Sequence, residues 1–306
     1  MSDHVLDTFQ ANRPRLHALA YRMLGERGEA DDVVQEAWLR WQAADHATID
    51  TPPAWLVTVV SRLSIDRLRQ AQAARQHYVG WWLPEPVVEA MDPHASPEQA
   101  LEQAGDVSIA FLWMLERLNP EERAAFLMRQ VFDYDYEDLA WLLGKSEAAC
   151  RQMVHRASSR IRQDKPRVKV SPDEHRELLG RFITAARSGE RQAMQALLAP
   201  EATAIGDGGG KVPSIFKILR GPPRIANLYY ALFRRHPGQV HYQLGWVNGE
   251  PGVLRYVGGQ LESVQSFEIF DGCIQAIYTV RNPDKLRGIP PALREPGAHA
   301  VTSRPA

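Results

Sequence analysis

The chain has 306 residues, of which 44% are hydrophobic and 24% charged, enough for about two or three folded domains. Its 36 basic and 37 acidic residues give a net charge of -1, so charge alone indicates no class of partner. The two cysteines cannot build a disulfide framework or a structural zinc site. No secretory signal and no apolar run of the ~18–20 residues that span a membrane is present. We therefore expect a cytoplasmic protein that holds no metal or cofactor and contacts no membrane.

Charge and glycine content divide the chain into chemically different segments. Residues 76–110 contain no lysine or arginine but six acidic residues, whereas residues 145–170 contain eight basic residues against two acidic ones. Sixteen of the 21 glycines follow position 171. These shifts predict helical domains over 8–76 and 108–165, an acidic proline-rich linker over 77–107, a different domain over 173–290 and a flexible tail over 291–306.

The first domain is predicted to be helical. Apolar residues at helical spacing predict a helix over 16–24 that Gly25 ends, a second over 30–41, and a third over 53–70 that opens with proline. The second helix exposes acidic side chains and the third exposes basic ones. Ordinary amphipathic helices with solvated faces would explain this periodicity, and a nucleic-acid-binding face on the third helix is the more specific hypothesis.

Residues 136–157 meet the position-specific requirements of a helix-turn-helix. Ala140 is small where two helices cross, Gly144 suits the tight turn, and Ser146 can cap the second helix. Four residues are predicted to pack the two helices together: Leu139, Leu143, Cys150 and Met153. The second helix directs Arg151, Gln152, His155, Arg156 and Ser159 outward. Arginine and glutamine read guanine and adenine edges in the major groove, which favours DNA binding over a plain helical hairpin.

The segment 173–290 predicts an α+β domain. Two helices over 174–189 and 191–198 are followed from residue 240 by alternating segments typical of strands. Asn248-Gly249 and Asp271-Gly272 have the composition of hairpin turns. Helices followed by such strands predict a cone formed by a curved antiparallel sheet.

We do not expect the C-terminal α+β domain to be catalytic. The run Asp207 to Val212 (DGGGKV) is one residue short of a phosphate-binding loop, and Val212 stands where Ser or Thr must reach Mg²⁺. Asp207, His241, Tyr242 and Arg281 are candidate acid/base residues, but nothing in the sequence fixes their mutual distances.

Four segments, in this order, resemble the extracytoplasmic-function (group 4) sigma factors of the sigma-70 family. They are ADDVVQEAWLRW, PAWLVTVVSRLSIDRLR, LNPEERAAFLMRQVF and YEDLAWLLGKSEAACRQMVHRA, and together they extend over about half of the chain. The resemblance implies two all-α domains: sigma region 2 over 8–76 and the region 4 helix-turn-helix over 108–165. It also implies two partners, promoter DNA and core RNA polymerase, the latter contacted at its beta-prime clamp helices and beta flap.

The same resemblance implies three sets of binding residues. Core polymerase would contact Asp31, Asp32, Gln35 and Glu36. The -10 element would meet Arg62, Asp66, Arg67 and Arg69, although many relatives have Asn at the position of Arg62. The -35 element would meet Arg151, Gln152, His155, Arg156, Arg160 and Arg162, the last two through phosphates.

The C-terminal segment resembles the SnoaL-like members of the NTF2-like superfamily. With WLPEP (82–86), DGGGKV (207–212) and NPDKL (282–286), it resembles the sigma subgroup that carries a fused SnoaL-like domain. The resemblance implies a regulatory role for Trp82, Leu83, Pro84, Asp207, Gly208, Gly209, Gly210, Lys211, Asn282, Pro283, Asp284 and Lys285. The pocket of such a domain would be the place for a small ligand of unknown identity.

The sequence thus predicts a promoter-specific sigma factor, not an enzyme, whose activity is modulated by its fused domain. A repressor-like regulator is one alternative, and it would bind a duplex operator unaided. A SnoaL-type isomerase or hydrolase with a regulatory head is the other, and it would turn over a small molecule without residues 1–170. The acidic linker is interpreted either as a solvated tether or as a mimic of nucleic acid along the RNA-exit path.

Overall fold

A computed structural model describes residues 3–75, 77–89, 108–162 and 170–296. The chain forms two compact units: Met1–His77 with Leu112–Lys165, and Tyr78–Phe111 with Pro166–Ala306. Most of the predicted linker (90–107), the connector (163–169) and the end of the tail (297–306) lie outside the described residues. No helix in the described ranges is long and apolar enough to cross a membrane.

The N-terminal half is helical, as predicted. Its helices are α1 (Asp3–Leu24), α2 (Arg27–Ala43), α3 (Pro52–Arg75), α4 (Ile109–Leu115), α5 (Pro120–Gln130), α6 (Tyr136–Leu143) and α7 (Glu147–Arg162). Gly25 ends α1 in the left-handed region at φ 73°, where its N–H donates to the Tyr21 carbonyl at 2.8 Å. Asn119 and Glu122 form a capping box at the start of α5, followed by Pro120 at its first position.

Helices α6 and α7 form the predicted helix-turn-helix. Gly144 takes φ 63° at the end of α6, and the Ser146 hydroxyl accepts the Ala149 N–H at 3.3 Å to cap α7. Leu139, Cys150 and Met153 are buried as expected. One packing position differs: Leu142 is buried and Leu143 only half-buried. Leu142 lies three residues after Leu139, so a single face of this short helix carries both leucines.

The second unit is an α+β domain. Its helices are α8 (Pro172–Ser188), α9 (Arg191–Gln195), α10 (Pro222–Arg235) and α11 (Pro283–Leu286). Its strands are β1 (Val88–Glu89), β2 (Leu198–Asp207), β3 (Leu219–Arg220), β4 (Val240–Val247), β5 (Glu250–Val257), β6 (Gln260–Phe270) and β7 (Cys273–Val280). They form one sheet in the order β1-β4-β5-β6-β7-β2-β3. Side chains from α8 and α10 pack on this sheet; Phe182, Tyr229 and Phe267 meet edge to face at its core.

This architecture confirms the predicted α+β fold class and corrects two details. The sheet is mixed, because β2 runs parallel to β7. The helix predicted over 191–198 ends at Gln195, and Leu198 already begins β2. The predicted hairpin turns are confirmed: Asn248 and Asp271 take φ values of 52° and 51°, each followed by a left-handed glycine.

The beginning of the predicted linker is part of the second unit. Val88 and Glu89 pair antiparallel with Val247 and Trp246, which adds β1 to the edge of the sheet. Leu83 is 0% exposed, and Trp82 and Val88 are also buried. The solvated-tether interpretation is therefore wrong for residues 78–89, which we call the linker segment.

His175, in the first turn of α8, gives the second unit a pH-dependent stability. Its side chain is buried, and its Nε2 has no hydrogen-bond partner among the described residues. Burial lowers the pKa of His175 from 6.5 to about 4, since the charged form is poorly solvated there. The unfolded chain thus binds a proton that the folded chain does not between these two pH values.

We expect the contribution of His175 to be fully present above pH 6.5 and to be lost as the pH falls to about 4. The shift corresponds to about 3 kcal/mol in the free energy of unfolding. Urea unfolding at pH 7 and pH 4.5 checks this. The difference between the two pH values should be smaller in His175→Leu than in the wild type, and equal differences would contradict the assignment.

Candidate functional site

The candidate core-binding residues lie on the exposed face of α2. Asp32 and Gln35 are exposed and have no side-chain partner in the described parts of the chain. Asp31 lies 3.1 Å from the His17 ring nitrogen, and Glu36 pairs with Arg40 one turn away at 2.7 Å. The other side of the helix is buried through Ala30, Val33, Val34, Ala37 and Trp41. Substitutions at Asp32 and Gln35 can therefore change a partner surface without changing the core.

Leu39 is an additional candidate on this face that the sequence analysis did not single out. It lies seven residues after Asp32 and is 57% exposed, which is unusual for a leucine on a helix with an apolar core face. Helical periodicity in the sequence places Leu39 outside the buried stripe, but a leucine has no polar group that would mark it as a binding residue. The three residues Asp32, Gln35 and Leu39 form one stripe of α2.

The basic face of α3 contacts the helix-turn-helix within the first unit. The Arg62 guanidinium donates to the carbonyls of Leu142 and Trp141 at 3.2 and 3.3 Å and lies over the Trp141 ring. These carbonyls belong to the last turn of α6, where a cation is favoured. Arg69 pairs with Glu121 at 2.8 Å, and with Asp66 on its own helix. Two of the four candidate -10 residues are thus engaged by the region that carries the candidate -35 residues.

A buried ion-pair network joins the same helices on another side. Glu116 bridges Arg75, at the end of α3, and Arg123, in α5, at 2.5 and 2.7 Å. Both arginines also donate to carbonyls at the end of α1, those of Leu24 and Met23. Arg123 is 1% exposed, so the network is internal to the unit. No local motif in the sequence marks this network, and Arg75 is 41 residues away from Glu116 in the chain.

The candidate -35 residues lie on the outer face of α7. Arg151, Gln152, His155, Arg156 and Arg160 are all exposed, while Cys150, Val154, Ala157 and Ile161 are buried. Arg151 pairs with Glu147 and lies 4.6 Å from the Tyr136 ring centroid, which fixes its orientation. Arg160 pairs with Glu122 at 2.7 Å, and the side chain of Arg162 lies outside the described part. Burial raises the pKa of the Cys150 thiol, as expected for a core residue.

In the second unit, the linker segment is held by one buried carboxylate, Asp207, at the end of β2. Asp207 is 0% exposed and accepts from the Tyr78 hydroxyl at 2.5 Å and the Leu83 N–H at 2.9 Å. It also pairs with Lys285 Nζ at 2.8 Å, and Lys285 donates to the Leu83 carbonyl. Asn282 donates to the Tyr78 hydroxyl at 2.9 Å. We call these five residues the Asp207 cluster.

The Asp207 cluster combines residues from the three motifs that the resemblance singled out. Lys285 Nζ lies 4.0 Å from the Trp82 ring centroid, and its side chain is buried. Asn282 caps α11 by accepting the Asp284 N–H, with Pro283 at the first helical position. Pro84 is also buried. Within the second unit, the motifs DGGGKV and NPDKL therefore contact the linker segment, which contains the third motif, WLPEP.

The glycines of the motif allow this close approach. Gly209 takes φ 62°, and a Cβ there would lie 2.4 Å from the Asn282 amide nitrogen. A Cβ on Gly208 would lie 2.4 Å from the Val212 carbonyl oxygen, and one on Gly210 would contact Val79 of the linker segment. Beyond them, Lys211 forms an ion pair with Asp284. The motif folds as a turn against α11, as its glycine content favours.

A separate cavity of about 440 Å³ lies between the loop that follows β2, helix α10 and the sheet. Among the described residues, its lining includes Arg281 but not Asp207, His241 or Tyr242. The four candidate acid/base residues are therefore not gathered there. Within the described ranges, no group of three or more His, Cys, Asp or Glu side chains could hold a metal ion.

Comparison with known proteins supports the interpretation of both halves. Residues 8–74 match the family model of sigma-70 region 2, and residues 109–161 match that of sigma-70 region 4. The chain is 38% identical over 293 residues to the ECF RNA polymerase sigma factor SigJ of Mycobacterium tuberculosis, covering 92% of this chain and 93% of SigJ. It is 25% identical over 271 residues to SigG of the same species, covering 80% and 71% of the two chains.

The resemblance to SigJ extends to the structure. The crystal structure of the M. tuberculosis SigJ sigma factor superposes with a TM-score of 0.75 at 34% identity, over 93% of this chain and 99% of that one. The match thus includes both sigma regions and the C-terminal domain. The chain belongs to the extracytoplasmic-function sigma factors of RNA polymerase.

Proposed function

We propose that this protein binds core RNA polymerase through the exposed face of α2 and directs promoter-specific initiation of transcription. Helix α7 reads the -35 element in duplex DNA and α3 meets the -10 element. Catalysis belongs to the polymerase, not to this chain. The observation that carries the proposal is the face of α7, where five polar or basic side chains are exposed opposite an apolar core stripe.

The contacts within α7 suggest a division of labour. Arg151 and Gln152 lie in the first half of the helix, the part that enters the major groove in helix-turn-helix proteins. The ion pair with Glu147 and the Tyr136 ring hold the Arg151 guanidinium in place before DNA is bound. Arg160 and Arg162 lie in the last turns, where they suit phosphates. Arg160 must first exchange the Glu122 carboxylate for a phosphate.

Arg151→Ala with Gln152→Ala should therefore reduce sequence discrimination at the -35 element. Each lost bidentate base contact should cost roughly 1–3 kcal/mol on the cognate site and almost nothing on a scrambled one. Arg160→Ala with Arg162→Ala should weaken both sites alike and lower the salt slope by about 0.9 per contact. Affinity measured on the two DNAs over a salt series checks this, and equal losses for both pairs would contradict it.

The contacts of α3 indicate that this arrangement of the sigma regions is closed. Arg62 cannot donate to the last turn of α6 and face DNA at the same time. Opening must release the contacts of Arg62 and Arg69, and the cost of opening lowers the apparent affinity for any partner of the open form.

Glu121→Lys should favour the open form, because it replaces the ion pair between Glu121 and Arg69 of α3, at 2.8 Å, by a repulsion between two cations. This pair lies at the surface, so its loss contributes about 0.2–1 kcal/mol, and the repulsion adds a similar amount. We expect the affinity for core polymerase to rise about two- to tenfold. Glu137→Lys is the matched control, because it makes the same charge change on α6 at an exposed position. An unchanged or lower affinity of Glu121→Lys would contradict the closed-form proposal.

We also propose that the C-terminal domain modulates activity through the linker segment. The segment begins at Tyr78, three residues after α3 ends at Arg75, and it precedes region 4 in the chain. A domain that holds this segment restricts the chain between the two DNA-binding regions. Because the domain is covalently attached, weak contacts suffice, since effective concentrations in one chain reach about millimolar.

A further inference from the structure

The cavity of the C-terminal domain has features of a ligand site that the sigma function does not use. Its volume of about 440 Å³ is within the range of ~300–1,000 Å³ typical of small-molecule pockets. It lies within a single compact unit, and all of its lining residues belong to residues 204–281. The Asp207 cluster, which holds the linker segment, is not part of its lining.

One wall of the cavity carries an excess of positive charge. Glu262 pairs through one oxygen with Arg255, at 2.7–2.8 Å, and through the other with Arg281. Burial would raise the pKa of Glu262, but the two arginines outweigh it and hold this pKa below its ordinary value. Glu262, Arg255 and Arg281 thus form a charged triad. Each oxygen of Glu262 is paired with one arginine, while the guanidinium groups of Arg255 and Arg281 reach the cavity. The triad carries a net charge of +1.

Several buried polar atoms at the cavity make no hydrogen bond of ordinary geometry to a described residue. Gln265, on β6, is 0% exposed; its amide interacts with the Tyr229 hydroxyl, but neither polar atom of the amide makes a hydrogen bond of ordinary geometry to a described residue. The Ser214 hydroxyl and the Arg281 Nε are likewise buried without a hydrogen-bond partner in the described chain. A buried polar group without a full hydrogen bond costs up to about 1–3 kcal/mol, so these groups around one cavity favour a polar occupant.

The opposite side of the cavity is apolar and partly open. Leu219, Leu232 and Ile215 contribute to the lining. Phe216 is 64% exposed and Leu228 is 38% exposed, and both also line the cavity. These are two of the few large apolar side chains that the described residues expose.

We propose that this cavity binds a small monocarboxylate with an apolar chain or ring. The carboxylate lies against Arg281, Gln265 and Ser214, and the apolar part lies against Phe216, Leu228 and Leu232. The net positive charge of the triad favours an anionic head group, and charge-assisted hydrogen bonds to the arginines and the amide supply the specificity.

Occupancy of the cavity is transmitted to the linker segment, a consequence that rests on the function proposed above. The loop over 207–217 begins in the Asp207 cluster and supplies Pro213 to Lys217 to the cavity. At the other end, the Arg281 side chain lines the cavity, while its N–H donates to the Asp207 carbonyl at 2.7 Å. A ligand that immobilises Ser214 and Arg281 therefore also restrains the Asp207 cluster, through the loop that follows Asp207 and through the Arg281 N–H.

Calorimetric titration of the full-length protein with octanoate tests the site, with octanol as the neutral probe. We expect octanoate to bind at least about tenfold more tightly than octanol, and Gln265→Leu to weaken octanoate about five- to thirtyfold. The matched control is Gln260→Leu, at the exposed start of the same strand, which should bind octanoate normally. No binding of octanoate, equal binding of octanol, or equal losses in the two variants would overturn the proposal.

Hydrogen exchange of the linker segment tests the transmission separately. Saturating octanoate should slow exchange of the peptide over 78–89, which contains the Leu83 N–H bonded to Asp207. An unchanged exchange rate with normal octanoate binding would overturn the transmission. Neither readout uses polymerase or DNA, so failure here is distinguishable from failure of the proposed sigma function.

Discussion

Replacing Asp207 by alanine is expected to release the linker segment and to destabilise the C-terminal domain by about 3–5 kcal/mol. The substitution leaves the ammonium group of Lys285 buried at 6% exposure without its carboxylate, beside the Leu83 carbonyl and the Trp82 ring. Removal of one partner of a buried ion pair typically has this cost, because the other charge stays out of water. The Tyr78 hydroxyl and the Leu83 N–H lose their acceptor at the same time.

A series of variants separates the loss of charge from the loss of side chain. Lys285→Met should lower the free energy of unfolding by less than Asp207→Ala does, because Asp207 keeps three hydrogen-bond donors: Tyr78, Leu83 and Gly209. Asp207→Asn with Lys285→Met removes both charges and should be less destabilising than Asp207→Ala. Glu201→Ala is the matched control, because it removes an exposed carboxylate from the same strand.

Hydrogen exchange over 78–89, together with urea unfolding, measures these effects. Exchange of the segment should accelerate in Asp207→Ala and stay unchanged in Glu201→Ala. If the linker segment is as protected in Asp207→Ala as in the wild type, the cluster does not hold it. The proposed regulation through the segment would then lose its structural basis.

Asp32→Arg combined with Gln35→Ala is expected to abolish binding to core polymerase while leaving the fold intact. Both side chains are exposed and unpartnered within the described residues, so their replacement should change the free energy of unfolding by no more than about ±0.5 kcal/mol each. The reversed charge opposes any basic surface that Asp32 meets, and the alanine removes the amide one turn away.

The chain offers a matched control on another helix. Asp7→Arg with Gln10→Ala makes the same two changes at the same spacing on the exposed side of α1. Co-purification with core polymerase should be lost in the α2 variant and retained in the α1 variant. If both variants co-purify at wild-type levels, the proposed docking face is wrong.

Local features of the fold could be predicted from the sequence because they depend on neighbouring residues. The Asn119 capping box, the left-handed Gly144 and the Asn248-Gly249 turn each follow from chemistry within four residues. The exposed face of α7 follows from helical periodicity in the same way. The predicted end of the helix over 191–198 is wrong, because Leu198 continues an apolar pattern that suits either a helix or a buried strand.

Long-range features could not be predicted in this way. The pairing of Val88 with Val247 involves a strand of only two residues and a partner more than 150 positions away. The sequence indicates the Asp207 cluster only as a set of motifs. Its carboxylate begins a glycine-rich turn, and such a turn does not reveal that the carboxylate is buried. The contact of Arg62 with the end of α6 depends on how two helical regions meet, which no periodicity encodes.

Run-off transcription with purified core polymerase on a pool of genomic fragments tests directly whether this protein directs promoter-specific initiation. Reactions contain no added factor, the wild-type protein, or the Asp32→Arg, Gln35→Ala variant. We expect discrete transcripts with defined start sites in the wild-type reaction alone. Equal transcripts without the protein or with the variant, or binding of the free protein to duplex sites with no transcripts, would contradict it.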